Sequence, residues 1–367
     1  MNPHKIDNNI IFVDENIPLL ADALKPCGII NNFRGRELTN KNLKENGCNA
    51  LFVRSTTKLN QALLDGTDVK FAGTSTSGID HVDTEYLKKE KIYFAYAPGS
   101  NANSVAEYVV YSILKWQKLT NSDLKNKTIG IIGYGNIGKI AANYVNYMGL
   151  KVFVNDPPLK DSGFSFPDFT KYAELDELCS KSNVITSHVP LTSEGKYKTF
   201  HLFNKNNIRL IKNGSLFIHT SRGGLAEEEP LLKRLTNNEI QAAIDVWENE
   251  PLINAKLAKA AMLATPHVAG YSREGKLRGA KMLAESFRIY TRLEPDLSEI
   301  ERELSSYHPM PVEKYMDYDK LFNLLRESRN IDEDTINLLA TLELHDSSRI
   351  AEFDLLRKNY LLRREIL

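Results

Sequence analysis

The sequence predicts an α/β protein made of two doubly wound parallel sheets, followed by a C-terminal extension. Short apolar runs alternate with amphipathic segments through most of the chain. The runs are almost continuously apolar, which is typical of parallel strands buried on both faces. One run leads directly into a glycine-rich turn, and the next one ends in an acidic residue. Strands and helices that alternate in this way build a parallel sheet with helices on both faces.

The first section of the chain carries four predicted strands, at residues 10–13, 50–53, 69–72 and 92–95. A long helix is predicted over 105–118, with Ser104 as its N-cap and Glu107 completing a capping box. Because this helix leads into the glycine-rich turn, we expect it to connect the two sheets.

The second section repeats the same pattern from about residue 120. Its predicted strands lie at residues 128–132, 151–155, 183–187, 215–219 and 241–245. A helix from Arg273 to about Arg292 is expected to return the chain to the first sheet. We therefore predict one domain from residues 1–118 with 271–292, and a second domain from residues 119–270.

Residues 293–367 differ from the rest of the chain, because they contain no glycine. The runs LFNLL at 321–325 and INLL at 336–339 lie among charged residues. These features predict short helices with an uncovered apolar face. Because the segment has too many leucines and aromatic residues for a disordered tail, we expect it to dock on the body of the protein or on another subunit.

The charge and the cysteine content limit the possible classes of partner. Lys and Arg total 47, as do Asp and Glu, so the chain has no overall attraction to nucleic acid or to an anionic membrane. The three cysteines form no CxxC pair and are expected to be reduced thiols. The polar start of the chain lacks the apolar core of a secretory signal, and no apolar run approaches the roughly 18–20 residues of a membrane span. We therefore expect a cytoplasmic protein.

The glycine-rich turn has the spacing G-x-G-x-x-G, formed by Gly133, Gly135 and Gly138 between a predicted strand and a predicted helix. The first glycine permits a tight turn, the second lets the backbone approach a pyrophosphate, and the third lets helix and strand pack closely. The helix N-terminus supplies free N–H groups to the phosphates. Asp156 ends the next strand, 18 residues after Gly138. Its carboxylate can bind a ribose diol but repels a 2′-phosphate, so the pattern predicts a Rossmann-type domain that binds NAD rather than NADP.

Polar residues follow the predicted strands of the first section. Arg54 and Ser55 follow one strand directly, and Thr76 lies in the run GTSTSG after the next. Ligands of doubly wound sheets bind outside the carboxyl ends of the strands. Hydroxyls, backbone N–H groups and a cation suit an anionic substrate, although the same residue types also serve as caps and turns.

Three chemically distinct side chains, Arg222, Glu250 and His267, follow three strands of the second section. Hydride transfer from an alcohol needs a base for the hydroxyl proton, and imidazole titrates in the useful range. A carboxylate beside the imidazole would orient it, and a guanidinium matches a substrate carboxylate. A single histidine after a strand is more often structural, so the prediction of a catalytic site depends on all three residues being present. His219 lies inside an apolar run and is expected to be buried in the core. The sequence contains no HExxH motif and no Cys/His cluster, so it does not predict a metal site.

At these motifs the chain resembles the D-isomer-specific 2-hydroxyacid dehydrogenase family, over about residues 10–292. The motifs that carry the resemblance are GYGNIG at 133–138, SRGG at 221–224, DVWENEP at 245–251 and PHVAGY at 266–271. Further stretches narrow it to members that act on a small phosphorylated hydroxy acid: VDENIP at 13–18, VRSTTK at 53–58, GTSTSGIDHVD at 73–83 and FDLLRKNY at 353–360. The resemblance implies a flavodoxin-like substrate-binding domain and a Rossmann NAD-binding domain.

The resemblance also implies roles for individual residues. Arg222, Glu250 and His267 would be catalytic, with His267 as the proton acceptor, and Ser55, Thr76 and Tyr271 would contact the substrate. Arg54 and Tyr271 are candidates for a substrate phosphate on charge and position alone. Residues that would hold the cofactor are Gly133, Gly135, Asn136, Ile137, Gly138, Asp156, Thr220, Ser221, Asp245 and Gly270. The segment 293–367 would form a homodimer.

Two alternatives remain open from the sequence. Another D-2-hydroxyacid dehydrogenase, acting on 3-phosphoglycerate, glycerate or lactate, would share the same catalytic residues. A protein that binds NAD(H) as a sensor, without catalysis, can also keep this set of side chains.

Overall fold

The computed structural model describes residues 9–311 and 314–367. The polar start of the chain, residues 1–8, on which the expectation of no secretory signal depends, lies outside the described residues, as do residues 312–313. By its internal contacts the chain divides into two compact units. The first contains the described residues up to Asn101 together with Ser272–His308, and the second contains Ala102–Tyr271 together with Pro309–Leu367.

The strands of the described residues all belong to two parallel sheets, one in each unit. They are β1 (Ile10–Asp14), β2 (Ile29–Phe33), β3 (Ala50–Val53), β4 (Phe71–Thr74), β5 (Tyr93–Tyr96), β6 (Thr128–Ile132), β7 (Lys151–Asn155), β8 (Thr170–Tyr172), β9 (Val184–Ser187), β10 (Leu216–His219), β11 (Gln241–Ile244) and β12 (Leu263–Ala264).

The α-helices of the described residues lie between and after these strands. They are α1 (Leu20–Leu24), α2 (Asn40–Glu45), α3 (Gln61–Leu64), α4 (Thr84–Lys89), α5 (Ala102–Thr120), α6 (Asn136–Tyr147), α7 (Pro157–Asp161), α8 (Leu175–Lys181), α9 (Lys205–Ile208), α10 (Glu228–Thr236), α11 (Ala255–Ala260), α12 (Arg273–Thr291), α13 (Ser298–Ser305), α14 (Tyr318–Ser328), α15 (Ile331–Thr341) and α16 (Asp346–Lys358).

The first unit contains a parallel sheet with the order β2-β1-β3-β4-β5. The four predicted strands are confirmed within two residues of their predicted limits. The sequence did not predict β2, because this edge strand carries two asparagines and its side chains are exposed or half-buried. Helix α12 packs on this sheet, where Phe287 forms edge-to-face contacts with Phe52 and Phe71.

The second unit contains a parallel sheet with the order β12-β11-β10-β9-β6-β7-β8. The five predicted strands are confirmed within one residue. The sequence did not predict β8 and β12, which have three and two residues and are too short to show a periodic pattern. The predicted fold class of two parallel α/β sheets is therefore confirmed.

Helix α5 is mostly buried apart from its last turn, and its predicted capping box is wrong. The helix begins at Ala102, so Ser104 and Glu107 lie inside its first turns. Both side chains have tertiary partners instead: Ser104 Oγ donates to Ala269 O at 2.9 Å, and Glu107 accepts the backbone N–H groups of Ile366 and Leu367. The helix was expected to connect the two sheets, and by its contacts it belongs to the second unit.

Helices α14, α15 and α16 dock on the body of the second unit, which was one of the two predicted outcomes, whereas α13 packs in the first unit through Ile300. Leu321, Phe322 and Leu325 of α14 share a core with α5, and Leu338 and Phe353 share another with β10 and β11. Tyr111 Oη donates to Asp332 at 2.7 Å. No helix within residues 9–311 and 314–367 has both the length and the apolar character needed to cross a membrane.

Candidate active site and dinucleotide-binding turn

The structure brings His267 and Glu250 together in the second unit. His267 Nδ1 lies 2.8 Å from Glu250 Oε2, and Glu250 Oε1 accepts the Trp247 N–H at 2.9 Å. Burial alone would raise the pKa of Glu250, but His267, the Trp247 N–H and the charge of Arg357 outweigh it and hold that pKa below its ordinary value. Glu250 is therefore a carboxylate at neutral pH. Because Nδ1 is engaged, Nε2 is the ring nitrogen that can exchange a proton with a ligand.

The backbone at His267 adopts a left-handed conformation, with φ of +58°. Asp245 holds the following residues: its Oδ1 accepts the Val268 N–H at 2.8 Å, and its Oδ2 accepts the Ala269 N–H at 3.0 Å. Thr265 Oγ1 also donates to Asp245, at 2.6 Å. Burial raises the pKa of Asp245, although His267 and these donors oppose the shift. Both carboxylate oxygens of Asp245, a predicted cofactor ligand, thus already bind the loop that carries His267.

Arg329 holds the same loop through its carbonyl groups. This side chain is buried and donates to Ala269 O at 2.9 Å and to Val268 O at 3.2 Å. It also donates to Ser104 O and Ser104 Oγ, at 2.6 and 2.7 Å. Sequence reasoning missed Arg329, because it lies between α14 and α15, far along the chain from His267, and belongs to no local motif.

Arg222 follows β10, as Glu250 follows β11 and His267 follows β12. These three strands are neighbours in the sheet, so the three predicted catalytic residues lie beyond adjacent strand ends. Arg222 Nη1 donates to Ser221 O at 2.7 Å. A Cβ on Gly223 would lie only 2.0 Å from the backbone of Trp247, so this glycine lets the loop after β10 pack against the loop that carries Glu250.

The remaining histidines near strand ends have structural environments. His219 is 3% exposed, as predicted for a core residue, and burial lowers its pKa to about 4. Burial also lowers the pKa of His188 to about 3, and its Nε2 contacts Thr186 Oγ1 at 3.1 Å. In the first unit, His81 Nε2 contacts Thr74 Oγ1 at 2.9 Å. Among the described residues, no group of three or more His, Cys, Asp or Glu side chains could hold a metal ion.

The glycine-rich turn has the geometry that a pyrophosphate requires. Gly133 has φ of +88°, and a Cβ on Gly138 would lie 2.0 Å from Gly133 O. A Cβ on Gly135 would meet no atom within 4 Å, so the space beside this residue is open to a ligand. Helix α6 begins at Asn136 directly after the turn and has no side-chain cap, so the N–H groups of Asn136 and Ile137 have no acceptor within the helix.

The other predicted cofactor ligands surround the carboxyl ends of the strands in this unit. Asp156 directly follows β7 and caps α7, where its Oδ2 accepts the Tyr134 N–H at 2.7 Å and its Oδ1 accepts the Leu159 N–H at 3.1 Å. Ser221 contacts Ser187, at 3.2 Å between their Oγ atoms. Thr220 Oγ1 is buried with no hydrogen-bond partner among the described residues. Gly270 follows Ala269 in the loop that Asp245 holds. The open turn and the unpaired Thr220 hydroxyl fit a dinucleotide.

The predicted substrate residues of the first unit lie at the ends of β3 and β4. Arg54 Nε contacts Asp14 Oδ1 at 3.2 Å, and Asp14 is fully buried. Ser55 is exposed beside Arg54, and Thr76 Oγ1 donates to Gly78 O at 2.7 Å. Sequence reasoning missed Asp14 as the anchor of Arg54; its position at the end of an apolar run was the available signal.

Tyr271 lies in the second unit, directly after the loop that carries His267. Its N–H donates to Val268 O at 2.9 Å. Its ring contacts Tyr360 edge-on, with centroids 5.7 Å apart. The predicted substrate residue is therefore in contact with the C-terminal segment.

Comparisons with known proteins agree with this geometry. Residues 103–269 match the family described as D-isomer specific 2-hydroxyacid dehydrogenase, NAD binding domain. Erythronate-4-phosphate dehydrogenases from Salmonella arizonae and Escherichia coli are each 36% identical over 97% of this chain and 92% of their own length. The D-lactate dehydrogenase of Aquifex aeolicus, complexed with NAD and lactic acid, is 26% identical with a TM-score of 0.64, covering 77% of this chain and 96% of that one. An NAD-dependent formate dehydrogenase from Staphylococcus aureus shares the fold, at 23% identity and a TM-score of 0.61, over 77% of this chain and 96% of its own.

The position of Asp156 generates a prediction on cofactor choice. Asp156→Ala should raise the KM for NAD by roughly 10- to 100-fold, the worth of a charge-assisted hydrogen-bond pair. It should also narrow the preference for NAD over NADP, because the repelling charge is lost. Initial rates with both cofactors measure this. Asp156→Asn is the control for the helix cap, since it keeps an acceptor for Leu159; an unchanged cofactor preference in both variants would contradict the ribose role.

Proposed function

Because the chain belongs to the erythronate-4-phosphate dehydrogenase family, within the D-isomer specific 2-hydroxyacid dehydrogenases, we propose that it oxidises 4-phospho-D-erythronate. The product is 2-oxo-3-hydroxy-4-phosphobutanoate, an intermediate of pyridoxal 5′-phosphate (vitamin B6) synthesis. The protein is an NAD-dependent oxidoreductase. The observation that carries the reaction type is the 2.8 Å contact between His267 and Glu250, in the same unit as the open glycine turn.

His267 Nε2 accepts the proton of the substrate C2 hydroxyl. Glu250 remains charged and stabilises the imidazolium that forms, since it contacts Nδ1 on the other side of the ring. Bound NAD supplies the acceptor for the hydride that leaves C2. The proton stays on His267 until it exchanges with solvent, so the substrate loses one hydride and one proton in total.

Arg222 binds the substrate carboxylate, because a guanidinium offers two parallel donors and keeps its charge at every relevant pH. Its place beyond β10, next to the strands that carry Glu250 and His267, supports this role. Ser55 and Thr76 of the first unit, together with Arg54 and Tyr271, are the proposed contacts for the rest of the substrate. The first unit is accordingly the proposed substrate-binding domain.

The substrate assignment is tested with a panel of hydroxy acids. With NAD, kcat/KM for 4-phospho-D-erythronate should exceed the values for 3-phosphoglycerate, glycerate and D-lactate by on the order of 10²-fold or more, because a site built to bind a polar group rejects ligands that lack it. A higher value for 3-phosphoglycerate would assign the enzyme to another substrate. Binding of NAD without turnover of any hydroxy acid would favour the non-catalytic NAD(H) sensor.

The base assignment is tested at His267. His267→Asn should lower kcat by roughly 10²–10⁴, the usual contribution of general base catalysis, and should leave NAD affinity intact. Asparagine tolerates the left-handed backbone at this position, so the loop should keep its shape. His201→Asn is a matched control, because His201 also has positive φ, at +51°, and lies outside the proposed site. Near-normal turnover in His267→Asn would contradict the assignment of His267 as the general base.

We also propose that the C-terminal region forms a homodimer. After docking on the second unit, this region still exposes large apolar side chains, including Ile336 at 66% and Leu361 at 71%. Burial of such a surface against a second copy would be favourable. Sedimentation equilibrium of the full chain should give twice the mass of one chain at micromolar concentration. A single-chain mass under those conditions would contradict the dimer.

A further inference from the structure

Arg357 lies in the last turn of α16 and extends toward the candidate active site. Its side chain forms a hydrogen bond with Tyr271 and lies close enough to Glu250 and Asp245 to interact with their charges. Its Nε is buried and has no hydrogen-bond partner among the described residues. A half-buried, positively charged side chain with a buried, unused donor is a candidate to bind an anion.

The segment around Arg357 is firmly attached to the second unit. Phe353, one turn earlier, is 1% exposed and shares a core with Trp247 and Ile253, which flank Glu250 in the chain. Arg349 Nη2 donates to Ile253 O at 2.8 Å. Beyond the helix, Tyr360 contacts the ring of Tyr271 and donates to Asp334 at 3.0 Å. The segment that carries Arg357 is thus held on both sides of this residue and is not a loose tail.

The neighbouring carboxylates are already engaged by other donors. The two oxygens of Glu250 accept from His267 and Trp247. Those of Asp245 accept from Thr265 and from the backbone of the His267 loop. The group that receives the hydrogen bond of Arg357 is the Tyr271 hydroxyl. Arg357 therefore keeps capacity to bind an incoming anion.

The proposed substrate has two anionic ends, and Arg222 accounts for the carboxylate. The phosphate needs a second cation, for which Arg54 is less suited, because its Nε already contacts the buried Asp14 at 3.2 Å. A guanidinium matches phosphate through parallel hydrogen bonds. Arg357 also lies outside residues 103–269, the part that matches the NAD-binding domain shared across the wider family.

We propose that Arg357, with Tyr271, binds the phosphate of the substrate and makes the enzyme specific for a phosphorylated hydroxy acid. This assignment rests on the proposed function, since it concerns the same substrate. It gives the C-terminal segment a direct part in substrate recognition.

The test compares substrates with and without the phosphate. Arg357→Gln should raise the KM for 4-phospho-D-erythronate by roughly 10- to 100-fold, the loss of charge-assisted hydrogen bonds. The inhibition constant of D-erythronate, which lacks the phosphate and competes for the same site, should change less than about twofold. Arg357→Lys should recover part of the loss, because it restores the charge without the planar donors. Lys358→Gln is the matched control: it removes one charge from the same helix at an exposed position and should behave like the wild type.

The possible results separate the explanations. If the substitution weakens the binding of D-erythronate and of 4-phospho-D-erythronate by the same factor, Arg357 has a general structural role and the proposal fails. It also fails if kcat falls and its pH profile shifts while KM stays constant, because Arg357 would then act through Glu250. A readout without turnover uses thermal unfolding of the NADH-bound enzyme with inorganic phosphate, which should stabilise the wild type and not Arg357→Gln. Equal stabilisation would overturn the proposal even if the wild type failed to oxidise 4-phospho-D-erythronate, a result that would count against the proposed function alone.

Discussion

The candidate active site depends on how the loop after β12 is held. His267 has a left-handed backbone, which a residue with a side chain adopts only at an energetic cost. Asp245 binds the N–H groups of the next two residues, and Arg329 binds their carbonyl groups. Because both polar sides of the same peptide segment are fixed by buried charged groups, the loop has little freedom to relax. The imidazole consequently stays on Glu250.

The two holding residues also compensate each other electrostatically. Asp245 and Arg329 are each almost fully buried, and each interacts with charges around this loop. A buried charge is costly without hydrogen bonds or a partner of opposite sign. Here most of the hydrogen-bond partners of Asp245 and Arg329 are main-chain groups of one loop. The same hydrogen bonds therefore satisfy the two buried charges and fix the left-handed backbone at His267. The C-terminal segment that supplies Arg329 thus helps to hold the loop of the candidate active site.

Features that depend on neighbouring residues in the chain could be predicted from the sequence, whereas features that depend on contacts between distant segments could not. Buried strands such as β3, β6 and β7 were predicted within a residue because an apolar run is a local signal. The glycine turn, Asp156 and the pairing of Glu250 with His267 were accessible because strand ends meet at one edge of a sheet. The capping box at Ser104 failed because Ser104 and Glu107 bind partners more than 160 residues away in the chain. Arg329 was missed for the same reason, since a contact between distant segments leaves no local pattern. Arg357 lies in the FDLLRKNY stretch that narrowed the resemblance, but the stretch alone did not indicate what this side chain contacts.

The difference between local and long-range contacts explains why the residues that determine the reaction and the residues that select the substrate can lie in different parts of one chain. The groups proposed to move a proton, Glu250 and His267, lie beyond β11 and β12, where the sheet itself brings them together. A group that recognises only the far end of one substrate has no such constraint and can come from any segment that reaches the site. A helix anchored by Phe353 and the contact between Tyr360 and Tyr271 reaches it from the C-terminal side. An added segment can therefore change the preferred substrate without disturbing the hydrogen bonds that orient His267, provided that it packs against the loops and not between the sheet and its catalytic residues.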